Sequence, residues 1–200
     1  MSKKSLQDKN SYKVKYRDGK IFSTIRQKWL VKTPEERVRQ AYLKVLINEY
    51  GYRPSQIAEE IDLTNRGSAS ARADFAIWRT VEDKREDKPP FIIVECKSNN
   101  VTISEEDYRQ GENYARIVGA PFFVTHNNRE TRYWRVRKDK VPGYVEEIEN
   151  IPHADDSEKE VVERIESTWR AASQNARWTF PRRAPQPTRS DAMPSCAASP

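Results

Sequence analysis

Phe91-Ile92-Ile93-Val94-Glu95-Cys96-Lys97 is an apolar run that ends abruptly in a carboxylate and an ammonium. Phe, Ile and Val suit a pleated surface, and apolar residues at both parities mean that both faces are covered, which predicts a central strand. Side chains alternate along a strand, so Phe91, Ile93, Glu95 and Lys97 share one face while Ile92, Val94 and Cys96 share the other. Glu95 and Lys97 therefore point into the same space at the rim of a core. A lone buried carboxylate neutralises rather than stay ionised, so a strand tip that keeps both charges implies a use for them.

The strand has a predicted neighbour. Ala73 to Trp78 reads as a strand, and Arg79 to Lys88 plus Pro89-Pro90 forms a charged loop that returns the chain antiparallel. Pairing back from Trp78 near Phe91 sets Asp74 opposite Glu95, to within a residue or two. Directly opposed side chains lie about 5 Å apart at Cβ, and like charges there repel unless a cation intervenes. Two carboxylates with waters and a phosphate oxygen suit Mg²⁺, with Mn²⁺ as a substitute, since Mg²⁺ rarely takes an all-protein cage. Lys97 beyond Glu95 then orients and helps to deprotonate a water that attacks a phosphodiester.

Further elements converge on this point. Thr33-Pro34-Glu35-Glu36 opens a helix by a Thr cap, Pro at the first helical position and a capping-box Glu36, and the helix is expected to run to about Tyr50 before Gly51. Val38, Ala41, Tyr42, Val45 and Leu46 mark its apolar face. Glu35 lies in line with that face, with Glu36 nearer its edge, so Glu35 is the candidate to complete the metal shell; the plain alternative is a helix-dipole Glu. Ser104 caps a second helix that ends at Gly119, and Gln110 and Tyr114 share one of its faces beside Gly111 and Ala115, which permit close packing on the sheet.

Over the whole chain, 36% hydrophobic and 33% charged residues are lean for a globular protein and imply that part of it does not fold. Residues 1–11 are expected to be disordered, 12–150 to form one domain, 151–172 a charged segment with a helix from Asp155 to about Arg170, and 173–200 a disordered tail. Tyr12 to Leu30, with Asp18-Gly19 between alternating residues, predicts a small basic hairpin. Gln56 to Leu63 reads as a strand, Asn65-Arg66-Gly67-Ser68 as a turn, Phe122 to Thr125 and Tyr133 to Val136 as strands, and 141–153 as irregular. The order predicts an α/β fold: a mixed central sheet with flanking helices whose first three strands form an antiparallel meander.

No apolar run approaches the roughly 18 residues that span a bilayer, and the Lys-rich start lacks a signal-peptide core, so a cytoplasmic location with no membrane partner is expected. Cys96 and Cys196 form neither a disulfide framework nor a metal knuckle. The net charge of +6 is unevenly spread: Met1 to Lys32 holds ten Lys or Arg against two Asp, and Arg129 to Lys140 holds six basic residues against two acidic ones. Such patches suit a polyanion such as DNA, and Lys13, Lys15, Arg17, Lys20, Arg72, Arg132 and Arg135 are the candidate phosphate contacts; the plain alternative is a solvated surface.

A Glu-x-Lys triplet alone is weak evidence in so charged a chain. Taken together, Thr33-Pro-Glu-Glu-Arg-Val-Arg-Gln40, Arg72-Ala-Asp74, Glu95-Cys-Lys97 and Gln110-Gly-Glu-Asn-Tyr114 resemble the N-terminal nuclease domain of type I restriction enzyme R subunits, a branch of the PD-(D/E)xK superfamily, over about Tyr12 to Asn150. The resemblance implies a restriction-endonuclease-like fold, Glu35 or Glu36 as the helix Glu, Asp74 and Glu95 as metal carboxylates, Lys97 as the catalytic lysine, and Gln110 and Tyr114 as the Gln-x-x-x-Tyr signature. R subunits continue into ATP-driven motor domains, whereas no Gly-x-x-x-x-Gly-Lys-Ser/Thr loop occurs in these 200 residues. The expectation is a Mg²⁺-dependent endodeoxyribonuclease, free-standing or supplied to a protein partner that brings specificity or a motor. One alternative is a non-catalytic nucleic-acid-binding or assembly module of a restriction or repair complex; another is a structural cluster in which Lys97 and Arg72 neutralise Asp74 and Glu95.

Overall fold

The computed structural model describes residues 11–62, 72–136, 145–157 and 159–161. The turn expected at 65–68, most of the helix expected over 155–170, the termini and Cys196 lie outside them. The elements are β1 (Tyr16–Arg17), β2 (Lys20–Ser23), β3 (Lys28–Val31), α1 (Pro34–Asn48), β4 (Ile57–Asp62), β5 (Arg72–Ile77), α2 (Val81–Arg85), β6 (Ile92–Cys96), α3 (Glu105–Val118), β7 (Phe122–His126), β8 (Thr131–Val136) and β9 (Val145–Ile148).

The apolar run around Val94 becomes β6, buried at every position. It sits inside a six-stranded sheet of order β4-β5-β6-β7-β8-β9, antiparallel throughout except where β6 meets β7. That one parallel pair needs a crossover, and α3 supplies it. One apolar layer packs Val38, Tyr42, Leu43 and Leu46 of α1 against Phe75, Ile77, Ile92, Val94 and Cys96. The other packs Tyr114 and Ala115 of α3 against Ala76, Ile93, Phe123 and Trp134. The mixed sheet with flanking helices is thus as expected. Burying each large aliphatic side chain contributes about 1.5–3 kcal/mol, so the two layers hold the sheet from both sides.

The β5–β6 register is Phe75↔Val94, Ala76↔Ile93 and Ile77↔Ile92, so the next step of the same register sets Asp74 across from Glu95, as expected. Three sequence expectations need correction. The N-terminal hairpin has a third strand, because Lys28–Val31 pairs with β2 beyond the Asp18-Gly19 turn, where both turn residues take positive φ. The 79–88 loop contains α2, nucleated by the Thr80 side chain accepting from the Asp83 N–H. Residues 145–148, expected to be irregular, add a sixth strand on β8. Among the described residues no helix is long and apolar enough to cross a membrane.

Gly111 fixes how α3 lies on the sheet. A Cβ built there would sit 2.8 Å from Cδ2 of Phe123, which is fully buried and cannot swing away. Gly111→Ala should therefore destabilise by about 1 kcal/mol, because overpacking costs about 1–3 kcal/mol and the gain in helix propensity returns about 1. Gly111→Leu should cost more. Thermal denaturation checks the sign; a stabilised Ala variant would mean that the helix and Phe123 give way freely.

Candidate active site

Asp74, the third residue of β5, and Glu95, near the end of β6, are both almost fully buried. Asp74 is held on both oxygens: Oδ1 lies 2.6 Å from Nη2 of Arg39, and Oδ2 accepts from the Cys96 N–H at 2.6 Å. Its pKa is nonetheless raised, because burial outweighs the Arg39 guanidinium and the backbone donor. Glu95 is raised to about 7, by burial first and then by the charge of Asp74, against the opposing pull of Lys97. One Glu95 oxygen, Oε1, meets Nζ of Lys97 at 3.2 Å, whereas the buried Oε2 has no hydrogen-bond partner.

Lys97 is clamped between β6 and α3. Its Nζ reaches Glu95, Oε1 of Gln110 at 3.1 Å and Oδ1 of Asp107 at 3.3 Å. Burial would lower its pKa, but Glu95 and Asp107 outweigh it and the net direction is up, so the ammonium is kept. Gln110 in turn donates through Nε2 to the Tyr114 hydroxyl at 2.7 Å, so the pair of side chains one turn apart forms a relay behind the lysine. Sequence reasoning did not bring Asp107 to the site. Asp107 forms the capping box with Ser104, and its second oxygen carries Lys97.

The first turn of α1 corrects the sequence reading. Glu35 is exposed, its side chain 54% so, while Glu36 is buried and bonds Arg39 at 2.7 Å and Gln40 at 2.9 Å. The Thr33 hydroxyl accepts from the Glu36 N–H, yet the Glu36 carboxylate does not return the bond, because the Thr33 N–H goes to Val31 O. The buried face keeps Val38, Tyr42 and Leu46 of the expected apolar stripe and is widened through Glu36, Arg39, Gln40 and Leu43, because Arg39 and Gln40 are buried as polar partners. The two glutamates face different neighbours. Glu35 pushes up the pKa of Asp74 and Glu95, and Arg39 Nη2 lies 3.5 Å from it, whereas the charge of Glu36 acts on Glu59.

Sequence reasoning missed Arg39. Its guanidinium contacts Glu36, Glu60 at 3.0 Å and Asp74, and their charges raise its pKa against the cost of burial. The spacing of Arg39 three and four residues after the paired glutamates was the available signal. The alternative in which Arg72 neutralises the carboxylates does not match the pairing: Arg72 pairs with Glu60 at 2.5 Å, and Arg39 pairs with Asp74.

The basic candidates fall in separate places. Lys13 and Lys15 precede β1, and Arg17 and Lys20 face each other on β1 and β2. Arg132 is exposed and stands in the row Glu95–Thr125–Arg132, two strands or about 10 Å from Glu95. Arg135 is half-buried, three residues along β8, level with Phe122 at the opposite end of the strand, and so is not brought to the site.

The donor set bears on a cation. Among the described residues no group of three or more His, Cys, Asp or Glu is arranged to hold a metal ion. Asp74 and Glu95 nevertheless fit a hard ion that keeps most of its waters, because Glu95 Oε2 is a buried acceptor without a donor and each Asp74 oxygen retains a lone pair.

The family model for the type I restriction enzyme R protein N terminus matches residues 34–152. No curated protein matches. Among solved structures, the type IIG restriction endonuclease BpuSI is similar with a TM-score of 0.36 and 20% identity, over 74% of this chain and 17% of that one. The chain thus spans about a sixth of the length of that enzyme. A likeness of that degree leaves the family assignment resting on the sequence match.

The raised carboxylate sets a pH dependence. Glu95 holds its proton in the folded state up to about 7 but releases it near 4.5 when unfolded, so folded protein binds more protons in between and stability falls as pH rises through that window. Above it the loss is complete. With EDTA present, Glu95→Gln should match wild type near the bottom of the window and exceed it by on the order of 3 kcal/mol above pH 7. Denaturant unfolding across pH measures the gap; a gap that does not widen with pH would show that Glu95 ionises freely in the fold.

Proposed function

Because the chain belongs to the family of type I restriction enzyme R protein N termini, we propose that it hydrolyses DNA phosphodiesters using a divalent cation, Mg²⁺ or Mn²⁺, held by Asp74 and Glu95. The observation that carries this reading is the partnerless, buried Glu95 Oε2 beside a second carboxylate, whose charge adds to burial in raising the Glu95 pKa, a strain that a cation relieves. A purely structural cluster has no reason to leave that oxygen unbonded, since a half-satisfied buried network is worse than an apolar one.

When bound, the cation lowers the pKa of the attacking water and offsets charge building on the phosphate. The Lys97 ammonium, held by Glu95, Gln110 and Asp107, donates to the attacking water or to a phosphate oxygen and needs no reorganisation at the moment of reaction. Gln110 and Tyr114 keep the lysine on its bearing. Glu35, exposed at the mouth and facing the two carboxylates, is placed to orient water around the site. Arg39 holds Asp74 in position from the other side. Arg132, in the Glu95 row, supplies phosphate attraction on the α3 side of the sheet. A protein partner that brings sequence specificity or a motor belongs to the same reading.

Supercoiled plasmid with Mg²⁺ tests it. Wild type should nick or linearise the plasmid without a requirement for ATP, Asp74→Ala and Glu95→Ala should lose activity, and Lys97→Ala should lose about a hundredfold or more. Asp74→Ala controls for contaminating nucleases. Equal cutting by wild type and all three variants, or no cutting by any, contradicts the proposal, and ATP stimulation contradicts its motor-independent part.

A further inference from the structure

The sheet β1–β3 precedes the residues matched by the family model, which begin at 34, and it has two unlike faces. The inward side chains of β2, Ile21 and Ser23, are fully buried. Alternation and register put Lys15, Arg17, Lys20, Phe22, Trp29 and Val31 on the outer face, Phe22 directly across from Trp29 and Lys20 across from Val31. The Phe22 and Trp29 rings lie with centroids 5.2 Å apart, and Nζ of Lys15 stands 5.7 Å from the Phe22 centroid. Trp29 is 39% exposed and Val31 72% exposed, although large apolar side chains on a solvated face forfeit burial energy.

We propose that this outer face is a stacking platform for unpaired nucleotides of a single DNA strand. An aromatic surface offers every base a partner for its π-face, and cations around it track the phosphates; the combination is what sequence-tolerant single-strand binding requires. Charge separates this occupant from an apolar protein partner. Ser11 to Lys32 carries seven Lys or Arg against one acid, Asp18, whose pairing with Arg17 at 3.2 Å is solvent-exposed on both sides and therefore weak. A duplex presents its bases edge-on in grooves and leaves Trp29 nothing to stack on, so the face discriminates strand from duplex.

The platform is joined to the candidate active site. The Ser23 hydroxyl donates to the Glu59 carboxylate, and Arg26, in the β2–β3 turn, pairs with Glu60. Glu60 lies across from Asp74 in the β4–β5 register. A strand gripped on the outer face is thus held at a fixed distance from Asp74, which would bias cleavage toward frayed, flapped or single-stranded regions.

Anisotropy of a fluorescent twelve-nucleotide oligo-dT and of a duplex of the same length, titrated with the full chain in EDTA, tests binding apart from any cleavage. Wild type should bind the single strand more tightly. Trp29→Ala should weaken single-strand binding about tenfold, within the range of base–aromatic stacking, and leave the duplex within about twofold. Trp29→Phe should restore most of the loss. Val31→Glu, at a position whose side chain supports nothing in the fold, gives a second reading and should also weaken the single strand selectively. Lys15→Ala with Lys20→Ala should weaken both ligands and flatten the salt dependence. Equal affinity for strand and duplex in wild type, or equal losses for both in Trp29→Ala and Val31→Glu, overturns the platform even if plasmid nicking is found.

Discussion

One guanidinium is surrounded by carboxylates from three elements. Arg39 of α1 touches Glu36 in its own helix, Glu60 on β4 and Asp74 on β5. In the β4–β5 register Glu60 and Asp74 stand directly opposite, the ladder is interrupted there, and Glu60 takes a left-handed backbone with φ 53°. Two opposed carboxylates at a strand pair destabilise it by themselves. Arg39 turns that repulsion into a shared bond network, and truncating one partner of such a buried set costs about 3–5 kcal/mol because the rest are left uncompensated. The helix, the edge of the sheet and the first site carboxylate are thereby placed by one side chain.

On the far side of Asp74 the same logic repeats with a different cation. Lys97 ties Glu95 to Asp107 and Gln110, which fixes β6 against the N-terminal turns of α3. Between these two cationic posts stand Asp74, held on both oxygens, and Glu95, whose proton affinity is raised by burial and then by the charge of Asp74. Arg39 satisfies Asp74 well, whereas Lys97 covers only one oxygen of Glu95. That asymmetry leaves a charge deficit at the centre, and the chemistry proposed for the site follows from it. The short approach of α3 that Gly111 permits is what lets Gln110 reach the lysine at all.

Much of this was legible because it rests on short-range rules. The β6 run, its alternation and the β5–β6 register followed from apolar parity and loop length, and Ser104 and Gly119 bounded α3 by cap chemistry that needs no tertiary context. The parts that were not legible depend on polar residues buried through long-range pairing. Helical periodicity counts only apolar positions, so Glu36, Arg39 and Gln40 fell off the predicted buried face although Glu59, Glu60 and Asp74 hold them inside. Strand β9 escaped for a related reason: two adjacent glutamates break the alternation, and only pairing with β8 makes Val145 to Ile148 a strand. The alternative in which Arg72 helps to neutralise the carboxylates failed for the same reason: Arg72 reaches Glu60 on the neighbouring strand, and Asp74 has Arg39 from the helix.

The central claim is that Asp74 and Glu95 form a site whose charge deficit a divalent cation relieves. Calorimetric titration of Mn²⁺ into metal-free protein at a pH above the Glu95 transition measures this directly, without DNA and without turnover. The account predicts saturable binding at one site per chain, proton release on binding when the titration is repeated below pH 7, where Glu95 still holds its proton, and loss of that binding in both Asp74→Ala and Glu95→Gln. Binding that survives either substitution unchanged, or no saturable binding to wild type, would contradict it.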